Sequence, residues 1–172
     1  MQLPYKWNLQ RLRLGFVLDV GCGVGRNLGH LNGSGVGVDP NIQCIEAARA
    51  RGFRAYTPDE FGEAASKENW RFDSMLVAHV VEHVGFENSV KLVDSYLRYL
   101  RPGARLVLIT PQEAGYRSDA THVEFMDDRK LRGICDALKL RVERSYSFPF
   151  PRAAGSLFTY NEFVVVAASA AV

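Results

Sequence analysis

Near its beginning the 172-residue chain reads VLDVGCGVGRN over residues 17–27. The short apolar run from Gly15 to Val20 predicts a buried β-strand that ends in a glycine-rich turn. Three glycines at alternate positions of this turn let the backbone bend tightly and approach a ligand without a Cβ clash. Residues 26–31 suit a helix that begins directly after the turn, so its first amide groups can face a ligand. The order of strand, glycine-rich loop and helix therefore predicts a ligand-binding turn.

The spacing of the glycines narrows the class of ligand. A dinucleotide-binding fingerprint needs G-x-G-x-x-G, but counting from Gly21 places Arg26 at the third glycine, and counting from Gly23 places Leu28 there. A P-loop is excluded because no Gly-Lys-Ser/Thr follows the glycines. Asp19 lies just before the loop, where a carboxylate repels a pyrophosphate and attracts an ammonium or sulfonium group. The loop therefore favours a positively charged ligand over NAD.

A second acidic residue ends the next predicted strand. Residues 35–39 read GVGVD, and Pro40 suits the first turn of the helix that follows. An acid at this strand end, about 20 residues after the first, can accept hydrogen bonds from ribose hydroxyls. Asp39 therefore indicates a nucleoside-containing ligand. Structural roles stay open for both acids, since Asp19 can fix a turn and Asp39 can cap the helix at Pro40.

Farther along the chain, apolar strands alternate with helical stripes. Strands are predicted over residues 54–57, 72–78, 104–110, 141–148 and 158–168. Helices are predicted from Glu87 to Leu100 and from Asp127 or Asp128 to Leu138. Parallel neighbours need helical crossovers, so the fold class is α/β, a doubly wound Rossmann-like sheet that is mostly parallel. The terminal pair of strands can make one strand antiparallel.

Composition indicates one globular domain over residues 1–172. The hydrophobic fraction of 47%, the charged fraction of 23% and the net charge of +2 exclude a disordered chain and a strongly basic nucleic-acid-binding surface. Phe163 to Val172 is too short to cross a bilayer and no signal peptide precedes the first strand, so we expect a cytoplasmic protein without membrane insertion. Residues 1–14 are expected to form a short N-terminal lid. Three widely spaced cysteines predict free thiols and no metal.

Three segments resemble, in order and spacing, the motifs of class I S-adenosylmethionine-dependent methyltransferases. They are VLDVGCGVGRN at 17–27, GVGVDPN at 35–41 and FDSMLVAHVVEHV at 72–84. The resemblance covers about Phe16 to Ala168, and it implies S-adenosyl-L-methionine as the cofactor. It also implies a seven-stranded sheet in the order 3-2-1-4-5-7-6 with strand 7 antiparallel.

The resemblance further implies which residues contact the cofactor. They are Asp19, Gly21, Cys22 and Gly23 for the methionine part, Asp39 for the ribose, and Ala78 and His79 beside the bound cofactor. Family members commonly carry an acid after strand three that contacts the adenine amino group. The equivalent segment here is TPDEF at 57–61, in which Asp59 is the candidate.

Methyl transfer from a sulfonium to a hydroxyl needs an aligned acceptor and removal of the acceptor's proton. His79, His83 and His122 follow the predicted carboxyl ends of strands four and five, whereas we expect His30 to face solvent from the first helix. Residues 119–125, DATHVEF, resemble the D-x-T-H segment of some methyltransferases that act on sugar or lipid-linked hydroxyls. This favours His122 as general base, with His83 as the second catalytic candidate. A loop-fixing role stays open for both.

The sequence therefore predicts an enzyme that transfers a methyl group to a small-molecule or glycan/lipid hydroxyl. Residues 78–81 read AHVV where methyltransferases of nucleobases or glutamine amides usually show Asn/Asp-Pro-Pro-Tyr/Phe, so no nucleic acid is expected as a partner. The alternative is a methyltransferase-like cofactor-binding or partner subunit without its own catalysis. The glycine spacing disfavours a dehydrogenase.

Overall fold

The computed structural model describes residues 3–168, which divide into two compact units. The first unit contains Met1–Leu76 and Tyr99–Arg101, and the second contains Val77–Arg98 and Pro102–Val172. The elements that lie or begin in the first unit are α1 (Leu3–Arg11), β1 (Val17–Val20), α2 (Arg26–His30), β2 (Gly35–Val38), α3 (Ile42–Ala50), β3 (Ala55–Tyr56), α4 (Pro58–Glu68), β4 (Phe72–Ala78) and β5 (Leu100–Pro111). Those of the second are α5 (Val81–Val84), α6 (Phe86–Leu97), α7 (Glu113–Arg117), α8 (Asp128–Ala137), β6 (Arg141–Phe148), a 3₁₀-helix (Arg152–Ser156) and β7 (Glu162–Ala168).

The seven strands form one sheet in the order β3-β2-β1-β4-β5-β7-β6. β1 and β2 pair in parallel, as do β2 and β3. β7 pairs antiparallel with both β5 and β6, and all seven of its residues are buried. The predicted α/β class, the strand order and the antiparallel seventh strand are confirmed. Among residues 3–168, no helix has both the length and the apolar character needed to cross a bilayer.

Small residues allow β1, β2 and the glycine-rich loop to pack closely in the first unit. A Cβ at Gly35 would lie 2.5 Å from the carbonyl oxygen of Val17, and one at Gly37 would lie 2.5 Å from the Cys22 sulfur. Both distances are shorter than van der Waals contact, so larger residues at either position would force the strands or the loop apart. The GVGV pattern of β2 therefore reflects backbone approach as well as burial.

In the first unit, the start of α3 and the presence of α4 differ from the sequence prediction. The helix predicted to begin at Pro40 begins at Ile42, because the Asn41 side chain caps it by accepting from the backbone N–H of Gln43 at 3.0 Å. Helix α4 was not predicted. Its start signal is nevertheless local, since Thr57 and Glu60 form a capping box around Pro58.

The N-terminal segment forms helix α1, which packs on α2. The Tyr5 hydroxyl donates to Asn27 Oδ1 at 3.2 Å, and Gln10 Nε2 donates to the His30 carbonyl at 3.0 Å. The prediction that His30 faces solvent is wrong, because the Tyr5 ring covers it edge-on and leaves it 9% exposed. Burial lowers the pKa of His30. A lid role for residues 1–14 stays a prediction, and residues 1–2 lie outside the described part.

In the second unit, the capping residue of α8 settles one open prediction. Asp127, not Asp128, caps the helix, and its side chain accepts from the Lys130 backbone N–H at 2.9 Å. The helix predicted to end at Leu100 ends at Leu97, and Leu100 is the first residue of β5. The apolar stripe thus predicted the helix but not its last turn.

Candidate functional site

The carboxyl ends of β1 and β2 lie side by side in the first unit. The Gly21 backbone N–H donates to the Val38 carbonyl at 2.8 Å, and Asp19 pairs with Gly37 across the two strands. The Gly23 N–H donates to Asp39 Oδ2 at 2.9 Å, which ties the glycine-rich loop to the second strand end. We call Asp19, Gly21, Cys22, Gly23 and Asp39 the cradle.

Asp19 is fully buried, and only part of its hydrogen-bonding capacity is used. Its Oδ1 accepts from Asn27 Nδ2 at 3.1 Å, whereas its Oδ2 has no hydrogen-bond partner among the described residues. Burial raises the pKa of this carboxyl to about 7, and the nearby Asp39 carboxylate adds to the rise. A buried carboxylate with a free oxygen is stabilised by a cation. This geometry fits the positive group that the sequence predicted.

The remaining cradle residues leave room beside the backbone. A Cβ at Gly23 would meet no atom within 4 Å, so its face of the loop is open. Cys22 is buried against Gly37, and burial raises the pKa of its thiol, so it is a neutral wall. Asp39 also accepts from the Asn41 N–H at 2.9 Å, so it does fix the turn before α3. Each carboxylate oxygen can accept a further hydrogen bond.

Gly25 carries a steric demand that can be tested by mutation. Its φ is +78°, and a Cβ there would lie 2.6 Å from the ring of Phe53. Gly25→Ala is therefore expected to lower the free energy of unfolding by about 2 to 3 kcal/mol, from the left-handed backbone and the clash together. Urea denaturation followed by circular dichroism measures the loss.

Gly52→Ala is the matched control for Gly25→Ala. Gly52 has a φ of +84°, but a Cβ there would meet no atom within 4 Å. Its substitution should cost only the backbone strain, about 1 kcal/mol. Equal losses in the two variants would show that Phe53 does not constrain the loop.

Asp59 lies in the first turn of α4 and is exposed. A negative charge there stabilises the helix N-terminus, so the helix by itself accounts for an acid at this position. Its contact with an adenine amino group stays a prediction.

Ala78 and His79 lie at the end of β4 in the second unit. Ala78 is buried, and the His79 backbone N–H donates to the Ile109 carbonyl at 2.9 Å. His79 Nε2 lies 2.8 Å from Glu162 Oε1, and its Nδ1 lies 3.4 Å from Glu82 Oε1. The side chain of His79 is 43% exposed, and the Glu162 and Glu82 carboxylates raise its pKa to about 10. Burial also raises the pKa of Glu162.

His83 and His122 meet beside the buried carboxylate of Glu82. Their ring centroids are 4.7 Å apart, and His122 Nε2 lies 4.0 Å from Glu82 Oε1. His122 Nδ1 lies 2.7 Å from the Tyr116 carbonyl oxygen, and the Tyr116 ring stacks on the imidazole at 5.2 Å. A carbonyl oxygen only accepts, so His122 donates through Nδ1 and its Nε2 carries the lone pair in the neutral ring. The structure thus brings together the two predicted catalytic histidines.

Sequence reasoning missed two acids that lie beside these histidines, Glu82 and Glu162. Glu82 was visible as the residue before His83, but its complete burial was not. Glu162 is an acid at the start of an apolar strand, EFVVVAA, which is an unusual pattern. Its contact with His79 spans 83 residues of sequence and depends on β7 pairing with β5, where Glu162 lies opposite Pro111.

An open cavity of about 770 Å³ in the second unit is lined by residues from 84–88 and from 124–133. Two of its charged groups pair with each other, since Lys130 Nζ lies 2.7 Å from Glu124 Oε1. Glu124 Oε2 also accepts from the Phe86 N–H at 2.7 Å. None of the predicted site residues lines this cavity, so we assign it no ligand.

Curated relatives of the chain act on different acceptors. Norajmaline N-methyltransferase of Rauvolfia serpentina is 26% identical over 134 residues, which cover 72% of this chain and 45% of that protein. The mitochondrial ubiquinone biosynthesis O-methyltransferase of Rattus norvegicus is 29% identical, covering 74% and 44%. The tRNA U34 carboxymethyltransferase of Pseudoalteromonas translucida is 30% identical, covering 81% and 48%. The chain thus spans about half the length of these relatives.

Solved structures share the fold at low identity. A SAM-dependent methyltransferase from Archaeoglobus fulgidus superposes with a TM-score of 0.76 at 19% identity, covering 98% of this chain and 95% of that one. The family model described as a methyltransferase domain matches residues 4–145, which contain the cradle and all of the predicted catalytic histidines. The resemblance to class I S-adenosylmethionine-dependent methyltransferases is therefore confirmed, and the chain belongs to the methyltransferase domain family.

Proposed function

We propose that this protein binds S-adenosyl-L-methionine and transfers its methyl group to a hydroxyl of a small molecule or of a glycan or lipid. The observation that supports the cofactor most directly is the buried Asp19 carboxylate with its free Oδ2, next to the open face of Gly23. This combination suits a positively charged group close to the backbone. The family match and the fold support the same cofactor.

In this proposal each cradle residue contacts one part of the cofactor. Asp19, Gly21, Cys22 and Gly23 hold the methionine part, where the Asp19 carboxylate neutralises positive charge. Asp39 accepts from the ribose hydroxyls with the capacity left after its bonds to Gly23 and Asn41. In this proposal Asp59 takes the adenine amino group, and Ala78 and His79 contact the cofactor from the end of β4.

When bound, the cofactor would supply an activated methyl group for in-line transfer to the acceptor oxygen. The chain must then take the proton of the acceptor hydroxyl. His122 is suited to this, because the Tyr116 carbonyl fixes its ring and leaves Nε2 with a lone pair. Glu82 Oε1 lies 4.0 Å from that nitrogen, and its carboxylate stabilises the imidazolium that forms. The His83 ring lies beside the His122 ring, with the two centroids 4.7 Å apart.

The proposal that the acceptor is a hydroxyl depends on this arrangement of histidines. The relatives named above include an N-methyltransferase, an O-methyltransferase and an enzyme of tRNA, so kinship alone leaves the acceptor open. A carboxylate acceptor needs no base and an amine loses its proton late, whereas a hydroxyl requires a proton acceptor. A buried, carbonyl-oriented histidine is therefore most useful with a hydroxyl.

Titration calorimetry with S-adenosylhomocysteine tests the cofactor assignment. We expect the wild-type chain to bind it, and Asp39→Ala to weaken binding by more than tenfold, which is about 1.4 kcal/mol, because ribose hydrogen bonds are lost. Glu46→Gln, an exposed position of α3, serves as the matched control and should bind like the wild type. Failure of the wild type to bind contradicts the proposal, and binding of NADH instead indicates a dehydrogenase.

Product stability tests the acceptor class. The chain is incubated with methyl-tritiated cofactor and a small-molecule extract, and the labelled product is then treated with alkali. A methyl ether survives this treatment, a methyl ester releases volatile methanol, and a methylamine is retained on a cation exchanger. Label in an alkali-stable neutral product supports a hydroxyl acceptor, whereas label in an ester or an amine contradicts it. Cofactor binding without any transfer supports a partner subunit that lacks catalysis.

A further inference from the structure

Three potential metal ligands converge in the second unit. Glu82, His83 and His122 each offer one ligand atom, a carboxylate oxygen or an imidazole nitrogen, and these atoms all lie within 4.8 Å of one another. They come from α5 and from the loop that precedes α8. The spacing of the cysteines, which predicted no metal, gives no sign of this histidine cluster.

Glu82 is the most deeply buried residue of this cluster. It is completely buried, and neither carboxylate oxygen has a hydrogen-bond partner among the described residues. Its nearest basic atoms are His79 Nδ1 at 3.4 Å and His122 Nε2 at 4.0 Å, both beyond a good hydrogen bond. Burying a carboxylate without such bonds costs several kcal/mol. The cluster therefore has a strong acceptor whose full complement of partners the protein does not supply.

Both histidines are oriented as metal ligands usually are. His122 Nδ1 lies 2.7 Å from the Tyr116 carbonyl oxygen, and His83 Nδ1 lies 3.3 Å from the Thr121 carbonyl oxygen. Donation to a carbonyl through one ring nitrogen leaves the lone pair on the other, which is the tautomer that binds a metal. Two imidazole nitrogens and one carboxylate oxygen are a common donor set for a divalent cation.

We propose that Glu82, His83 and His122 form a binding site for a divalent first-row transition metal ion such as Zn²⁺. Two imidazoles and one carboxylate favour such ions over Mg²⁺ and Ca²⁺, which prefer oxygen ligands throughout. Bonds of about 2.1 Å require ligand atoms roughly 3.0 to 3.5 Å apart, so the three side chains must draw together by about an ångström. Three protein ligands leave at least one coordination position open for an oxygen ligand.

The use of this metal rests on the proposed function, although its binding does not. An acceptor hydroxyl in the open position would release its proton to solvent water more readily, because a metal ion lowers the pKa of a bound oxygen. His122 then holds the metal in place of accepting the proton. His79 is held through Nε2 by Glu162, and its Nδ1 lies 3.4 Å from Glu82 Oε1, so it can orient the Glu82 carboxylate.

Titration of the chelator-treated full chain with Co²⁺ tests the site without any measurement of activity. We expect one ion per chain and visible absorption bands that Zn²⁺ abolishes at equimolar concentration and millimolar Mg²⁺ does not. Glu82→Gln and His122→Gln should each weaken Co²⁺ binding by at least tenfold. His30→Gln removes another buried histidine, outside the cluster, and should leave binding unchanged.

Absence of bound Co²⁺ in equilibrium dialysis, or equal binding by the cluster variants and the wild type, overturns the proposal. Thermal unfolding of each variant, followed by circular dichroism, establishes that it is folded when tested. Calorimetry with S-adenosylhomocysteine on the same samples separates the two proposals. Cofactor binding without metal binding defeats the metal site alone, and metal binding without cofactor binding defeats the proposed function alone.

Discussion

An Asp19→Asn variant is expected to bind S-adenosylmethionine at least a hundredfold more weakly than the wild type while unfolding at a higher urea concentration at pH 8. The affinity falls because the neutral amide cannot compensate the positive charge that the buried carboxylate neutralises, and a hundredfold is about 2.7 kcal/mol. Stability and ligand binding thus change in opposite directions, which a simple folding defect would not produce.

The gain in stability follows from the raised pKa of Asp19. Burial lifts the pKa of this carboxyl from 3.8 to about 7 in the folded chain. Between about pH 4 and pH 7 the folded protein keeps a proton that the unfolded chain releases, so the contribution of Asp19 to stability falls as the pH rises. Above about pH 7 the carboxyl is ionised in both states, so the free-energy cost of burying its charge no longer changes with pH. Asparagine carries no charge to bury, so the free energy of unfolding of the variant should rise by about 1 to 3 kcal/mol at pH 8 and hardly at all near pH 4.

Two measurements check the Asp19 prediction. Urea denaturation at pH 4 and at pH 8 gives the stability difference at each pH, and calorimetry at pH 8 gives the affinity. Glu46→Gln, which removes an exposed acid from the same unit, should change neither quantity. Undiminished affinity in Asp19→Asn would remove this carboxylate from the cofactor site.

A His122→Ala variant is expected to lower kcat by at least about a hundredfold, the lower end of what general acid–base groups contribute. Affinity for S-adenosylhomocysteine should stay within about twofold, because the cradle residues are unchanged. The loss is expected both if His122 accepts the proton and if it holds a metal ion. The imidazole is only 7% exposed and makes one close hydrogen bond to the Tyr116 carbonyl, so its position is well defined.

The matched control for His122→Ala is Val123→Ala, the next residue in the same loop. Val123 is 63% exposed, and the bond it makes to the Glu82 carbonyl uses its backbone N–H, which the substitution keeps. Its kcat should equal that of the wild type. Unaltered turnover in His122→Ala would exclude His122 from proton transfer and from metal binding in the reaction.

Local sequence features predicted much of the fold for clear reasons. β4 was predicted with its exact bounds, because a run of apolar residues between polar ends has only one way to be buried. The adjacency of Asp19 and Asp39 followed from two consecutive parallel strands, whose carboxyl ends share one edge of the sheet. Helix α4 was missed although Thr57, Pro58 and Glu60 form a standard start signal, because its apolar stripe is weak.

Contacts between segments that are distant in sequence show where local reasoning fails. His30 was expected in solvent, but its exposure depends on Tyr5, which reaches it from another helix. The burial of Glu82 and its lack of hydrogen-bond partners depend on segments that are distant in sequence, including the loop that carries His122. The ionisation energy and the hydrogen-bond partners of a carboxyl group depend on its surroundings in the folded chain, so they cannot be derived from the residues next to it in sequence.

Local patterns in the amino-acid sequence were enough to predict the alternation of strands and helices, the glycine-rich loop and the two acids at adjoining strand ends. These depend on periodicity, on backbone freedom at glycine and on the direction of parallel strands, which are local properties. The folded chain was needed to find that Glu82, His83 and His122 come together and that Glu162 contacts His79. Such contacts join groups about 40 to 80 residues apart, and burial, which sets their electrostatic energy, is a property of the folded chain.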